Sequence, residues 1–412
     1  MDKIELLSPA GDLERLKMAF EYGADAVYIG GYSYGLRAGA KNFSADDIRE
    51  GVKYAHDRNK KVYVTVNIIP HNEDLNGLED YLATLASLDV DALIVSDPGI
   101  MGVCKQVIPE MEIHLSTQAN CTNYLTANFW YKNGVKRVVT ARELSFSEIK
   151  EINEKTPEDL EIEAFVHGAM CMSYSGRCLI SNFLTRRNAN KGECTHPCRW
   201  KYALVEEKRP GEYFPVFEDE RGTYFFNSKD LCMVEHIPQL VNSGIKSFKI
   251  EGRMKSVYYV ATVTRIYRKA IDSYLESPET WKADPNWKIE LSRASNREFT
   301  TGFYFSKPSE KDHRYSSSEY INTHLFCGIF KDDAESGNEY IVEQRNRMLV
   351  GDEIEIITPG NSEIIRTRIV KMEDEEGNSV DSAPHPKQIL KITLADEKLP
   401  KIPVNSLIRK EK

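Results

Sequence analysis

Short apolar segments alternate with amphipathic segments eight times up to about residue 276 of this chain. The apolar segments are IELLSPAG, DAVYIGG, KKVYVTVNII, DALIVSDPG, EIHLSTQAN, KRVVTAREL, LEIEAFVHG and KSFKIEGR, and their composition and flanking turn residues are typical of strands. Eight strand–helix units in series favour a closed parallel barrel over an open doubly wound sheet. No G-x-G-x-x-G string follows the first strand, which argues against a dinucleotide-binding sheet. We therefore predict an α/β fold, a TIM-like (β/α)8 barrel over residues 1–276.

Residues that cap helices stand at several predicted helix starts. Asp12 precedes LERLKMAFEYG and is a plausible N-cap. Ser44 with Asp47, and Ser145 with Glu148, have the spacing of capping boxes, in which each partner satisfies a free backbone N–H of the first turn. These signals fix where helices begin between the predicted strands.

An insertion of about residues 169–229 separates the seventh predicted strand from the eighth. It carries a cluster of cysteines and then a hairpin-like segment, YALVEEKRPGEYFPVFEDERGTYFFNS. In a barrel of this type the loops that follow the strands line the catalytic mouth. The cysteines are therefore expected where chemistry takes place.

The pattern changes twice beyond residue 276. Residues 277–317 have no clean periodicity and are predicted to form a connecting segment. From Ser318 onward, β-like segments are separated by turns such as Pro359-Gly360 and Glu376-Gly377. This predicts a small β-barrel over residues 318–412, either an accessory module of the kind found in RNA-modifying enzymes or a structural lid without a partner.

Charge and hydropathy limit the function classes. The formal charge of −9 and a pI near 5.7 argue against non-specific coating of nucleic acid, although a structured RNA can still bind a local basic patch. No apolar run approaches the length needed to span a membrane, and the first residues, MDKIELLSPAGD, contain no apolar signal core. We expect a cytoplasmic protein without a membrane partner.

Five of the eight cysteines crowd into one region. In a cytoplasmic chain such a cluster indicates metal or redox chemistry rather than disulfides. Four thiolates bind zinc or an iron–sulfur cluster, and the absence of paired C-x2-C knuckles makes zinc the alternative rather than the first choice. The candidate metal ligands are Cys171, Cys178, Cys194 and Cys232, with Cys198 as a fifth candidate. Cys104, Cys121 and Cys327 are isolated and predicted to be buried apolar residues.

Glu163, His167 and Arg177 are the candidate catalytic residues. Glu163 and His167 alternate with Ala164 and Val166, so both are expected on one strand face, pointing into the barrel or its mouth. A lone histidine is more often a satisfied core residue, but the neighbouring acid and Arg177 favour a functional role. The string Gly31-Tyr-Ser-Tyr-Gly35 matches the nucleophile elbow of serine hydrolases, yet no helix follows it directly, so Ser33 is interpreted as a loop residue.

Several polar residues are candidate substrate ligands at the predicted mouth. Lys249, Glu251 and Arg253 alternate with apolar residues and are expected to face the same way. Buried charges are costly unless paired, so either a ligand with carboxylates or an internal ion-pair network would explain them. The full candidate set is Arg37, His114, Gln118, Lys249, Glu251 and Arg253.

A basic run with interleaved aromatic residues lies beside the cysteines. Such a run can hold a phosphate backbone and stack an unpaired base, or it can be an ordinary solvated loop. The candidate RNA-binding residues are Arg186, Arg187, Arg199, Trp200 and Lys201.

The stretch EAFVHGAMCMSYSGRCLIS, residues 163–181, is similar to the signature of peptidase family U32, described as collagenase-like proteases. The opening LLSPAG, the YIG…RAGAKNF stretch and FKIEGRMKS also resemble that family, and the resemblance covers essentially the whole chain. It implies a TIM-like barrel with a C-terminal β-barrel. It further implies that Cys171, Cys178, Cys194 and Cys232 match positions that hold a [4Fe–4S] cluster in members acting on ubiquinone, with Cys198 an alternative for the fourth.

The branch of this family with the same length and tail resembles proteins that convert the tRNA wobble uridine to 5-hydroxyuridine, with prephenate as co-substrate. The resemblance implies tRNA and a small dicarboxylate as partners. A cluster would offer electrons, inward cations would hold the dicarboxylate, and the basic run would receive an extruded base. The alternatives are a protease on collagen-like or unfolded chains, which needs an activated nucleophile or metal-bound water, and a scaffold with structural zinc. A homo-oligomer or a paralogous partner stays open.

Overall fold

The computed structural model of the protein describes residues 4–35, 42–170, 185, 203–204, 214–215, 229–294, 296–306, 321–332, 337–360, 363–396 and 398–412. The strands up to residue 300 are β1 (Glu5–Pro9), β2 (Ala26–Gly30), β3 (Lys61–Val66), β4 (Ala92–Val95), β5 (Glu112–Leu115), β6 (Val135–Val139), β7 (Glu161–Ala169), β8 (Ala203–Leu204), β9 (Phe214–Pro215), β10 (Asp230–Cys232), β11 (Ile245–Ile250) and β12 (Phe299–Thr300).

The later strands are β13 (His324–Phe330), β14 (Glu339–Gln344), β15 (Met348–Leu349), β16 (Glu353–Ile357), β17 (Ile365–Glu373), β18 (Ser382–Ala383), β19 (Ile389–Leu394) and β20 (Leu407–Glu411). The described α-helices are α1 (Leu13–Glu21), α2 (Ala45–His56), α3 (Leu78–Ser87), α4 (Pro98–Val107), α5 (Tyr124–Lys132), α6 (Phe146–Glu154), α7 (Ile237–Asn242), α8 (Val257–Glu276) and α9 (Pro285–Arg293).

Eight parallel strands form a closed barrel in the order β11-β1-β2-β3-β4-β5-β6-β7, and the pairing of β7 with β11 closes it. The predicted TIM-like barrel is therefore confirmed. Its helices begin where the sequence indicated: Asp12 accepts the N–H of Arg15, and the capping boxes at Ser44 and Ser145 are both formed. These caps place the helix N-termini at the same end of the barrel as the carboxyl ends of the strands.

Strand β10 pairs with β7 outside the ring of eight. The pairing is antiparallel, with Asp230 opposite Ala169 and Cys232 opposite His167, and β12 extends it on the far side. The predicted hairpin appears as the antiparallel pair β8–β9. The segment predicted to be a connector contains α9, which starts with the N-cap Asp284 and Pro285, a pattern that presets the first helical turn.

A second, antiparallel barrel closes in the order β13-β14-β19-β17-β16-β20, which confirms the predicted C-terminal β-barrel. It packs against α8 and α9 of the first barrel. The guanidinium of Arg409, which is fully buried, meets the carboxylates of Glu290 and Glu355 and the hydroxyl of Tyr258 at this contact. Because α8 lies between the strands and the second barrel, nearly all of its first turns are buried.

Apolar side chains between the strands and helices form the main core of the first barrel. Cys104, Cys121 and Cys327 are buried free thiols, as the sequence predicted. Among the described residues, no helix is long and apolar enough to cross a membrane.

Candidate active site

A network of charged side chains fills part of the barrel interior, below the mouth formed by the carboxyl ends of the strands. Glu163 on β7 is at its centre and is fully buried. Its carboxylate accepts a hydrogen bond of 2.6 Å from Lys249 Nζ on β11 and one of 3.3 Å from Arg137 on β6. Burial alone would raise the pKa of Glu163, but these two cations outweigh it and hold that pKa below its usual range.

The network continues toward the opposite end of the barrel through Arg137. Its guanidinium donates to Glu5 on β1 at 2.5 Å and to Glu161 on β7 at 2.8 Å. Tyr63 and Ser247 donate their hydroxyls to Glu5 at 2.6 and 2.8 Å. Every charge in this chain of contacts meets an opposite charge, which is the condition under which buried ions are tolerated.

Two further features surround this network. Lys249 Nζ lies 4.4 Å from the ring centre of Tyr28, so an aromatic face adds to the stabilisation of the ammonium group. His114 on β5 is completely buried, and its Nε2 lies 2.8 Å from the Glu112 carboxylate. Burial lowers the pKa of His114 despite that carboxylate, which favours the neutral ring near pH 7.

One side of the barrel mouth is formed by Arg142, in the loop that follows β6. Its guanidinium lies 3.9 Å from the ring centre of Phe165. It donates to the carbonyl of Ala169 and to the carboxylate of Glu251, both at 3.0 Å. An arginine over an aromatic ring, with one carboxylate partner at a strand end, can exchange that partner for a carboxylate of a ligand.

The other side of the mouth is formed by Arg253, in the loop that follows β11. It reaches Thr65 Oγ1 at the end of β3 at 3.3 Å and Asn42 Oδ1 at 3.4 Å. Its guanidinium packs against the backbone of Gly30, and any side chain at that position would overlap it. The second cation of the mouth thus depends on a glycine at the end of β2.

Neutral amides complete the mouth. Asn67 donates to the hydroxyl of Ser116 at 3.0 Å, and both are buried. Gln118 follows in the short helical turn after β5, and its side-chain carbonyl has no hydrogen-bond partner among the described residues. A buried acceptor without a partner costs free energy unless a ligand or water satisfies it, so the side-chain carbonyl of Gln118 is able to accept a hydrogen bond from a bound molecule.

Comparison with known proteins matches this chain to one family. The family model described as "Peptidase family U32" matches residues 11–314, and the model of its C-terminal domain matches residues 322–409. The chain belongs to peptidase family U32. It is 44% identical over 397 residues to the "tRNA hydroxylation protein P1" of Bacillus subtilis, covering 96% of this chain and 93% of that one.

Two other U32 relatives have different names. A Methanocaldococcus jannaschii protein named "Uncharacterized protease MJ0090" is 48% identical over 318 residues, covering 76% of each chain. The "23S rRNA 5-hydroxycytidine C2501 synthase" of Escherichia coli is 37% identical over 320 residues, covering 78% of this chain and 45% of that one. Similar U32 sequences therefore have names from two reaction classes.

His167 of this U32 chain does not share the lumen face of Glu163, so that expectation is wrong. The register between β7 and β11 shifts between Lys249 and Ile250, and the alternation of faces is interrupted there. His167 packs instead among aromatic rings that include Tyr259 and Tyr267 of α8, outside the ring of strands. Burial lowers the pKa of His167 to about 3, so the ring is neutral at pH 7.

Cys232 lies beside His167 on the neighbouring strand β10. The thiol is buried, and burial raises its pKa to about 11. The hydroxyl of Tyr267 interacts with this thiol, accepts the N–H of Met233 at 2.9 Å and donates to the carbonyl of Val166 at 2.7 Å. The sulfur is therefore held in place by α8 at the point where the chain returns to the barrel after residue 228.

The structure tests only part of the predicted site. In the part of the chain that it describes, no three His, Cys, Asp or Glu side chains are grouped so that they could hold a metal ion. Outside the described residues lie Arg37, Cys171, Arg177, Cys178, Arg186, Arg187, Cys194, Cys198, Arg199, Trp200 and Lys201. Of the described candidates, Glu163, Lys249 and His114 lie in the lumen, whereas Glu251, Arg253 and Gln118 lie at the mouth.

Sequence reasoning missed Arg142 and the lower half of the network. Arg142 stands in a loop without periodicity, and its partner Glu251 is 109 positions away. Glu5 and Arg137 are charged residues within apolar strands, on the faces that the strand pattern assigns to the interior. Charged residues at interior positions of predicted barrel strands could therefore have indicated this network from the sequence.

Proposed function

We propose that this protein is a tRNA-modifying hydroxylase that forms 5-hydroxyuridine at the wobble position, with prephenate as co-substrate and a [4Fe–4S] cluster held by Cys171, Cys178, Cys194 and Cys232. One observation carries the proposal: 44% identity to a tRNA hydroxylation protein extends over 96% of the chain, so both barrels are included. Identity of 37% to an rRNA hydroxycytidine synthase supports the broader class, hydroxylation of a pyrimidine in RNA.

The mouth offers the contacts that such substrates need. The guanidinium groups of Arg142 and Arg253 are suited to the two carboxylates of a dicarboxylate such as prephenate. The amides of Asn67 and Gln118 are suited to the edge of an extruded pyrimidine, which presents both donors and acceptors. Lys249 and Glu163 lie below these groups and form an ion pair with each other at 2.6 Å, so their charges largely cancel beneath the mouth.

The proposed reaction replaces the C5–H bond of uracil with a C5–OH bond, a two-electron oxidation of the ring. In the proposal the hydroxylated co-substrate gives up its oxygen, so that R–OH becomes R–H while U–H becomes U–OH. Atoms and electrons then balance between the two substrates. The residues of the mouth bind and orient both molecules and exclude water, since Asn67, Ser116 and Gln118 are all buried.

The donor set is suited to an iron–sulfur cluster. Cys232 is a buried thiol shortly after the segment that carries the other three proposed ligands, and thiolates are the usual ligands of such clusters. When bound, the cluster would supply or accept single electrons. Tyr267 would keep the Cys232 sulfur in position through its hydrogen bonds to β7 and to Met233.

The geometry of the described residues favours hydroxylation over proteolysis. A peptidase needs a nucleophile and a general base within hydrogen-bond reach of each other. Glu163 is ion-paired in the lumen, whereas the neutral ring of His167 is buried among aromatic rings on the outer side of β7. The candidate acid and base therefore lie on opposite sides of one strand, and they cannot act on the same peptide bond.

Mass spectrometry of tRNA nucleosides tests the reaction. In a strain that lacks this protein and any second U32 member, we expect 5-hydroxyuridine derivatives to disappear and to return when the wild-type gene is restored. Restoring the Arg142→Ala variant should return less than a tenth of the modification, whereas Phe129→Ala, on the outer wall, should return all of it. Unchanged 5-hydroxyuridine in the deletion strain would refute the proposed function.

The visible spectrum of anaerobically purified protein tests the cofactor. We expect broad charge-transfer absorption that bleaches on reduction, with about four iron atoms per chain. The Cys232→Ala variant should lose most of it. A colourless protein with one zinc per chain would refute the iron–sulfur cluster and favour a structural zinc site.

A further inference from the structure

The string Gly31-Tyr-Ser-Tyr-Gly35, set aside above as a chance match to a hydrolase motif, forms a well-defined loop at the barrel mouth. It leaves β2 and runs beside the end of β3, where Gly35 approaches Thr65. The phenol of Tyr81, in the first turn of α3, packs against Gly31 so closely that a side chain there would overlap it. The loop is thus fitted to its neighbours at both of its glycines.

Two tyrosines of this loop contact the ring of Tyr81. Tyr32 meets it edge-to-face with ring centres 5.0 Å apart, and Tyr34 lies 5.1 Å from it with the ring planes tilted by 42°. Tyr34 has a left-handed backbone, with φ of 57°, and is fixed by hydrogen bonds from its hydroxyl to the carbonyl of Asn76 and to its carbonyl from the N–H of Ile68. A non-glycine residue keeps such a conformation only where its surroundings impose it.

The ring of Tyr32 thus rests against the buried ring of Tyr81, while 50% of the residue stays exposed. It stands next to Gly31 and Gly30, and Arg253 packs against the backbone of Gly30. An exposed aromatic ring that rests on a second, buried ring is suited to a nucleobase, because this contact limits the freedom that the ring loses on binding and every base has a face that can stack. Its place on the rim favours a base next to the reacting uridine rather than the uridine itself.

We propose that Tyr32 is the stacking platform for an unpaired base of the bound RNA, adjacent to the base that enters the mouth. The inference rests on the proposed function in that it takes RNA as the substrate, and it adds a binding site that the sequence did not indicate. Tyr81 and Tyr34 act as positioning residues for the platform, since they contact the ring of Tyr32 or its support and not the base.

Fluorescence anisotropy with a labelled tRNA anticodon stem–loop tests the platform. For the full-length protein, the Tyr32→Ala variant should bind this RNA about tenfold more weakly, within the range measured when a stacking side chain is removed. Tyr32→Phe should bind like the wild type, because stacking needs the ring and not the hydroxyl. Thermal unfolding of each variant shows whether the fold is intact. We expect an intact fold, because the side chain of Tyr32 is half exposed.

Two matched controls separate stacking from a general loss of binding. Phe129 on α5 is a similarly exposed aromatic residue, 58% accessible, but it lies on the helical wall, so Phe129→Ala should leave the affinity unchanged. A fully paired RNA hairpin of the same length should bind Tyr32→Ala and wild type equally. The inference is overturned if Tyr32→Ala binds the anticodon loop like the wild type, if Tyr32→Phe is as weak as Tyr32→Ala, or if the paired hairpin shows the same loss.

The binding experiment and the nucleoside experiment fail independently. If tRNA from the deletion strain keeps its 5-hydroxyuridine but anisotropy still shows loop binding that depends on Tyr32, then the hydroxylation proposal falls and the platform stands. If the modification disappears in the deletion strain and Tyr32→Ala binds normally, the enzyme assignment stands and the platform falls.

Discussion

The two barrels of this chain have opposite interiors. The eight-stranded barrel encloses a connected set of ions, with Glu163 between Lys249 and Arg137. The six-stranded barrel encloses apolar side chains at the described interior positions of its strands. These include Tyr340, Val342, Ile354, Ile356, Ile369, Met372, Leu390, Ile392, Leu394 and Ile408.

The difference shows which interior is arranged for stability alone. Apolar side chains stabilise a barrel by their burial, whereas each buried ion loses its hydration and regains it only through partners. The apolar interior of the second barrel has the lower cost in free energy. The first barrel has buried ions, which are costly, directly beneath its mouth. We infer that these ions fix the floor of the substrate site.

Removing the central carboxylate should have the largest effect. Glu163→Met leaves Lys249 without its carboxylate in the lumen, and we expect the free energy of unfolding to fall by about 3–5 kcal/mol. The double variant Glu163→Met, Lys249→Met removes both charges and should recover most of this loss. Urea denaturation of the wild type, Glu163→Met, Lys249→Met and the double variant measures the coupling. Equal stability of the single and the double variant would contradict the network.

Breaking the contact between the barrels should have the next largest effect. In Arg409→Met, Glu290 and Glu355 lose one of the two cations that they share and keep Arg293. We expect a loss of about 2 kcal/mol, less than for Glu163 because both carboxylates are partly exposed and stay paired. Differential scanning calorimetry should then resolve two transitions where the wild type shows one. A single transition in the variant would mean that other contacts suffice to couple the barrels.

Acid should destabilise the first barrel through a buried histidine. His167 has a pKa of about 3 in the fold against 6.5 when unfolded, so below pH 6.5 the unfolded chain takes up a proton that the folded chain does not. The free energy of unfolding should therefore fall as the pH drops from 6.5 toward 3, by about 2 kcal/mol at pH 5. His167→Gln should remove that slope in urea titrations at pH 7 and 5. An unchanged slope would show that other groups cause it.

A surface ion pair of the second barrel should have the smallest effect. Glu339 and Lys391 face each other across β14 and β19 at 2.7 Å, and both are about half exposed. Glu339→Gln should leave the free energy of unfolding almost unchanged, because water screens exposed charges. A loss as large as that of Glu163→Met would remove the distinction between the two interiors.

Periodicity and capping signals were enough to predict both barrels, because strand and helix patterns are local properties of the sequence. The same reasoning placed Lys249 on an inward face, and the contact with Glu163 agrees with it. It failed at His167, because the register shift beside Lys249 interrupts the alternation. Gly168, with φ of 108°, follows directly and allows the strand to bend there. Such shifts depend on neighbouring strands that are distant in sequence.

The mouth was only partly predictable for a related reason. Arg253 follows a strand in which charged and apolar residues alternate clearly, so the side of the strand on which it lies could be predicted. Arg142 lies in a loop. Its contacts with the ring of Phe165 and the carboxylate of Glu251 make it part of the mouth. Neither contact has a local sequence signal. Residues that are brought together only by closure of the barrel are the ones that sequence patterns miss.

The short antiparallel pairing of β10 with the end of β7 gives the first barrel a fixed point of attachment for an inserted segment. Three residue pairs, from Asp230–Ala169 to Cys232–His167, join the described strands that precede and follow the inserted segment. These strand pairings offset the entropy that is lost when the inserted segment is closed into a loop. That entropy cost grows only slowly with the length of the loop. Insertions of other lengths and compositions can therefore be exchanged at this position without a change in the register of the eight strands.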